Sequence, residues 1–211
     1  MKNLSLLFSG RGSNVNSILS HIIKKRLNFN VKIIVCDNKN AAGIKMLENY
    51  NFDYIVLDTR SFANKIDFNI ELKNILSPKK NDILLLCGYM NKIPEHLINA
   101  YNGNIINIHP SLLPKYKGLN THEKVIQNND TEHGCSVHFV TSNIDDGPII
   151  AQYHLPIKPS DDKISIAEKL LPLEHKLYYE VLKIIENDRI VLLNNEVILD
   201  GVVLKKPIKY I

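Results

Sequence analysis

Residues 4–23 read LSLLFSGRGSNVNSILSHII. An apolar run from Leu4 to Phe8 breaks at Ser9-Gly10-Arg11-Gly12-Ser13-Asn14, and Val15, Ile18, Leu19, Ile22 and Ile23 then recur at helical spacing. The order is a buried strand, a glycine turn and an amphipathic helix. That unit, repeated, predicts a parallel sheet with right-handed helical crossovers. Downstream, Val31 to Cys36 reads as a strand, Ala41 to Tyr50 as a helix and Tyr54 to Leu57 as a short strand. Phe62 to Leu76 reads as a helix stopped by Pro78, and Ile83 to Cys87 as the most apolar strand. A helix with Pro94 at its start and a strand over Asn104 to Ile108 complete this half.

The second half changes character. A Pro- and Gly-bearing loop, Pro110 to Leu119, precedes a short helix from about Thr121. Ser136 to Thr141 and Ile149 to Leu155, separated only by Ser142 to Pro148, predict an antiparallel hairpin or a close return. A long helix covers Ile164 to Glu186, with Pro172 expected to kink or restart it, and Ile190 to Val203 reads as a terminal hairpin. The expectation is an α/β sheet, parallel in front and mixed behind.

The 211 residues, 45% hydrophobic and 23% charged, have ordinary globular composition and argue against a disordered or fibrous chain. The apolar run at 83–87 falls far short of the ~20 residues that cross a bilayer. Met1 to Phe8 is too short for a signal peptide and reads as a first strand. Cys36, Cys87 and Cys135 form no CxxC pair and sit in or beside apolar strands, so buried thiols in a reducing, cytoplasmic setting are expected. A net charge of +4, scattered along the chain, suits anionic small molecules at least as well as nucleic acid.

Four places can carry chemistry. The Ser9–Asn14 turn lets backbone approach a ligand and opens a helix whose free N–H groups attract an anion. It reads as a monophosphate loop, with a purely structural turn as the alternative. Val15 stands where a dinucleotide fingerprint wants a third glycine, although Asp37 ends the second strand as a ribose-binding acid would. Asn107 and His109, two apart at a strand end, leave the same face. An amide there can donate to an oxyanion and an imidazole can exchange a proton. Alternatively, Asn107 caps the loop and His109 satisfies a carbonyl. Asp145-Asp146-Gly147-Pro148 is either a solvated turn or the source of a carboxylate that orients a histidine. Glu174 falls inside the apolar stripe of the long helix, facing either solvent near Pro172 or a ligand amine or hydroxyl. His122, His133 and His138 lack the spacing of a zinc site, and His138 is expected to face the core with a partner.

NIHPSLLPKY at 107–116, SGRGSN at 9–14, HGCSVHFVT at 133–141 and IDDGPII at 144–150 together resemble the folate-dependent formyltransferase family, in its glycinamide ribonucleotide branch. The resemblance runs from about Leu4 to Asp200 and implies a single Rossmann-like formyltransferase domain over 1–211. A phosphate-binding α/β half would occupy 1–108; folate-site loops, the long helix and a terminal hairpin would occupy 109–211. It implies formyl transfer from 10-formyltetrahydrofolate to the amino group of glycinamide ribonucleotide, with Asn107, His109 and Asp145 catalytic. Asn107 and a protonated His109 would stabilise the oxyanion, and Asp145 would support the imidazolium. Gly12, Ser13 and Asn14 would bind the substrate phosphate, and Glu174 the glycinamide substrate. Lys65, Met90, Asn91, Lys92, Ile93 and Asn107 would contact folate. Asp146 stands where the family carries glycine, Asn91-Lys92 where Arg-Ile is frequent, and Asn120 where histidine is common. The resemblance calls for no metal, nicotinamide, nucleic acid or membrane, and for a cytoplasmic monomer or weak homodimer. Two relatives, methionyl-tRNA formyltransferase and formyltetrahydrofolate deformylase, carry an extra domain, and the length of this sequence is expected to disfavour them. A non-catalytic phosphate sensor would use the glycine loop alone.

Overall fold

The structure, a computed structural model, describes residues 1–78 and 82–211. The chain divides into two compact units, Met1–Ile106 and Asn107–Ile211.

The first unit opens with β1 (Lys2–Phe8), α1 (Ser13–Ile23) and β2 (Phe29–Cys36), followed by α2 (Gly43–Leu47) and β3 (Tyr54–Val56). It continues through α3 (Lys65–Leu76), β4 (Ile83–Leu86) and α4 (Glu95–Ala100). Its strands lie in the order β4-β1-β2-β3, each neighbouring pair parallel. Leu4, Leu6 and Leu7 pair with β4 and are fully buried, as a strand covered on both faces requires. The α/β expectation therefore holds, while several boundaries move. The second helix shrinks to Gly43–Leu47. The third begins at Lys65 because Asn64 turns extended and its side chain accepts from the N–H groups of Ile66 and Asp67. Pro94 is the extended residue before α4, not its first turn.

β5 (Ile105–His109) carries the chain into the second unit. There follow α5 (Thr121–Gln127), β6 (Glu132–Phe139), β7 (Ile149–Pro156) and α6 (Lys163–Glu186). The unit ends with β8 (Ile190–Leu193), β9 (Glu196–Leu199), β10 (Val202–Val203) and β11 (Ile208–Tyr210). β6 and β7 are antiparallel and β11 runs parallel to β7, so this part is mixed, as expected. The expected terminal hairpin is a three-stranded meander, β8-β9-β10. α6 packs on β6 and β7 through Ile166, Leu170, Leu177, Tyr178, Val181, Leu182 and Ile185. It runs unbroken through Pro172, correcting the expected restart. Residues 168 and 172 are both exposed, so water reaches the carbonyl that the proline leaves without a partner. No helix among the described residues is long and apolar enough to cross a membrane. Cys36, Cys87 and Cys135 are free and buried.

Leu85 is fully buried and pairs with Leu6 at the middle of β4. Leu85→Ala is expected to cost about 2–5 kcal/mol in denaturant unfolding.

Candidate active site

In the first unit the glycine loop is held by its own backbone. Gly12 adopts φ 70°, and a Cβ there would meet Met46 Cε at 3.0 Å and Gly43 Cα at 3.3 Å. The left-handed turn and the close approach both favour glycine. Because Gly12 is the N-cap, no side chain caps the first turn of α1, which begins at Ser13 and Asn14. Ser9 N donates to Gly88 O (3.2 Å) and Met90 N to Ser9 Oγ (2.9 Å), so the loop and the segment before Ile93 are pinned together. Met90 and Lys92 are exposed, Ile93 is buried, and Lys65 is exposed at the start of α3. Asn91 Nδ2 donates to Asp37 Oδ2 at 2.7 Å, and Asp37 is buried. The acid that resembles a ribose ligand in sequence thus holds the Asn91 amide.

The second unit contains a polar cluster built around one carboxylate. Asn107 and His109 project from the same face of β5, as their spacing predicts, and both reach Asp145 from the turn after β6. Asn107 Nδ2 lies 3.4 Å from Asp145 Oδ1, and His109 Nδ1 lies 3.3 Å from Asp145 Oδ2. Gly118 N donates to the same Oδ2 at 2.9 Å. The Asp145 side chain is only 12% exposed. Burial pushes its pKa up, but His138, His109 and the Gly118 N–H overcome this and hold it below the usual carboxylate range. Asp145 therefore stays ionised at neutral pH.

His109 Nε2 lies 2.9 Å from Tyr116 O, so both ring nitrogens face groups that only accept. The ring is 6% exposed, and its pKa falls below the ordinary 6.5 because burial outweighs the pull of Asp145 and Tyr116 O. The resting ring is mostly neutral at pH 7, and a proton placed on it would have an acceptor at each nitrogen. Tyr116 and Asp145 both have left-handed backbone (φ 56° and 48°), which costs about 1–2 kcal/mol per residue. The loop that bears Tyr116 is anchored through Ser136, whose Oγ donates to Ser111 O (2.6 Å) and accepts from Leu113 N (3.0 Å).

His138 is the polar residue that spacing placed in the core without a role. It is 2% exposed, as expected, but its Nε2 meets Asn107 Nδ2 at 3.1 Å. Its position in a strand signalled burial, yet nothing in the sequence signalled its partner. Asp146 is exposed, forms an ion pair with Lys117 and accepts from Asn143 Nδ2 (3.3 Å). Glu174 is half-buried on α6, where its charge adds to burial in pushing the Cys135 thiol up. Asn120 is the left-handed residue before α5. His122 Nδ1 and His133 Nε2 are 2.9 Å apart, and burial with the neighbouring His122 lowers the His133 pKa to about 4. Among the described residues, no three His, Cys, Asp or Glu side chains are grouped to hold a metal ion.

A parallel α/β unit with an open helix start, and a carboxylate drawing an amide and an imidazole from one strand end, suit a group-transfer enzyme. The profile described as formyl transferase matches residues 2–182, and the chain belongs to that family of formyl-transferring enzymes. It is 32% identical over 199 residues to phosphoribosylglycinamide formyltransferase of Escherichia coli (strain K12), covering 94% of each chain. It is 29% identical over 192 residues, 91% of its length, to 19% of the trifunctional purine biosynthetic protein adenosine-3 of Homo sapiens. The solved phosphoribosylglycinamide formyltransferase from Coxiella burnetii superposes with a TM-score of 0.91 at 36% identity, over 100% of this chain and 99% of that one.

Gly147 follows the Asp145-Asp146 pair, and a Cβ there would fall 1.8 Å from Phe139 O. Gly147→Ala is expected to displace that carbonyl and the turn bearing Asp145. Overpacking of this kind typically costs about 1–3 kcal/mol. Thermal unfolding should report the lost stability, and a turnover assay a lower kcat.

Proposed function

We propose that this chain transfers the formyl group of 10-formyltetrahydrofolate to the amino group of N1-(5-phosphoribosyl)glycinamide. The products are formylglycinamide ribonucleotide and tetrahydrofolate, a step of de novo purine synthesis. The observation that carries this reading is the convergence of Asn107 and His109 on Asp145, which lies 38 residues beyond Asn107 in sequence. The names of the relatives support the choice of substrates.

In this reading Asn107, His109 and Asp145 are the catalytic residues. The neutral amine attacks the formyl carbon, the C–N bond forms, and the carbonyl electron pair moves to oxygen. Asn107 Nδ2–H, held by Asp145 through a long contact, turns to that oxyanion. The amine proton passes, directly or through a water, to His109 Nδ1. The imidazolium so formed has both N–H groups taken by Asp145 and Tyr116 O, and it stabilises the oxyanion through its charge. The protonated His109 expected from sequence thus arises during the reaction rather than before it. Collapse restores the carbonyl and breaks the bond to the folate nitrogen, which takes the proton from His109.

Gly12, Ser13 and Asn14 take the substrate phosphate at the start of α1, where no capping side chain competes. Glu174 contacts the glycinamide substrate. Met90, Asn91, Lys92 and Ile93 bind folate, with Asn91 acting through its backbone because Asp37 holds its amide. The exposed cations Lys65 and Lys92 suit the folate carboxylates, and Asn107 meets the folate at its formyl group. The 211 residues act as one formyltransferase domain, divided functionally at 1–108 and 109–211. The three free buried cysteines fit a cytoplasmic enzyme, which we take to be a monomer or weak homodimer. No metal or nicotinamide takes part.

Loss of 10-formyltetrahydrofolate, followed spectrophotometrically with and without glycinamide ribonucleotide, tests the reaction: consumption is expected only with both substrates. Asn107→Ala and Asp145→Ala should each lower turnover about 10²–10³-fold, roughly 3–4 kcal/mol, while folding survives. Wild-type turnover in both would remove them from the mechanism.

The pH dependence follows from His109. Burial places its pKa below 6.5, so kcat/KM should rise with pH along a limb centred below 6.5 and then level. Asp145→Asn removes a charge that raises this pKa, and the limb should move to lower pH. Movement to higher pH would exclude His109 as the titrating base.

A further inference from the structure

We propose that His138 is a positioning residue for the transfer, fixing which edge of the Asn107 amide faces the reacting group. The inference rests on the reading of Asn107 as the oxyanion donor.

His138 Nδ1 lies 2.8 Å from Phe139 O. A carbonyl only accepts, so Nδ1 carries the hydrogen and Nε2 of the neutral ring is left as an acceptor. Nε2 faces Asn107 at 3.1 Å and stands 3.7 Å from Asp145 Oδ1, beyond hydrogen-bond reach, so its partner is the amide, and an acceptor there calls for the Nδ2 end. The second Nδ2 hydrogen is then the one directed at Asp145 Oδ1, at 3.4 Å. Turning the amide over would set its oxygen against two acceptors at once, the imidazole lone pair and the carboxylate. The donor edge is thus locked by a short contact, and the longer contact leaves one hydrogen free to be handed over. The Phe139 carbonyl that sets the ring is itself in place only because residue 147 is glycine, since a Cβ there would lie 1.8 Å from it. The chain of contacts runs from Gly147 through Phe139 O and His138 to Asn107, and His138 touches no reacting atom in this scheme.

Two measurements test the assignment. In the ligand-free wild-type protein, long-range 1H–15N spectra of labelled histidine should show His138 near neutral pH with hydrogen on Nδ1 and a bare Nε2. Hydrogen on Nε2, alone or on both nitrogens, overturns the proposal. In steady-state kinetics, His138→Phe keeps an aromatic ring without the acceptor and should lower kcat about 10²-fold, the scale for a misplaced catalytic group, with both KM values unchanged. His138→Gln can place an oxygen where Nε2 stood and should recover most of that loss. Equal losses in the two variants, or a loss confined to KM, refute the positioning role. Should the Phe variant not fold, the wild-type spectrum and the Gln variant still decide. If Asn107→Ala retains full turnover, the donor reading fails, whereas the spectrum still judges the His138–Asn107 contact independently.

Discussion

A carboxylate withdrawn from water needs donors around it, and the second unit is organised to supply them to Asp145. One comes from the backbone of Gly118, one from the Asn107 amide and, once His109 is protonated, one from its imidazole, the last two on the same face of β5. The shortest of these contacts is to the main chain and the longer ones are to the side chains. That ordering matters for chemistry. The backbone bond fixes the anion, and in the proposed reaction the longer contact leaves the Asn107 amide free to serve a second oxygen. The turn that presents Asp145 and the loop that presents Tyr116 both adopt left-handed backbone, a local cost sustained by the hydrogen bonds they make.

The same cluster separates two histidines of similar burial into different roles. His109 has acceptors at both nitrogens, so a proton that arrives there is retained although burial disfavours it at rest. His138 has an acceptor at Nδ1 and the Asn107 amide nearest its Nε2, with Asp145 farther off at 3.7 Å. The difference lies wholly in the partners, since each imidazole is nearly inaccessible.

Two departures from the family pattern find local compensation. Asp146 adds a charge beside Asp145, and the Lys117 ammonium meets it at the surface. Asn91 replaces a basic residue, and its amide is taken up by Asp37 at the end of β2. Each compensating partner lies far off in sequence, which is why spacing alone left the consequence of both departures open.

Sequence by itself determined the β-α-β order, the closeness of β6 and β7, the buried cysteines and the common face of Asn107 and His109. Each follows from a period of two or 3.6 residues, or from a glycine or proline at an element's edge, and such signals are local. Tertiary structure alone decided the short second helix, the passage of α6 through Pro172 and the strand Ile208–Tyr210, three residues recognisable only through their pairing with β7. It also decided that Asp145, rather than its neighbour Asp146, turns inward, and that the partner expected for His138 in the core is Asn107. A side chain's neighbours along the chain set its direction, but its charge and hydrogen-bonding role depend on groups that only folding brings within about 3 Å.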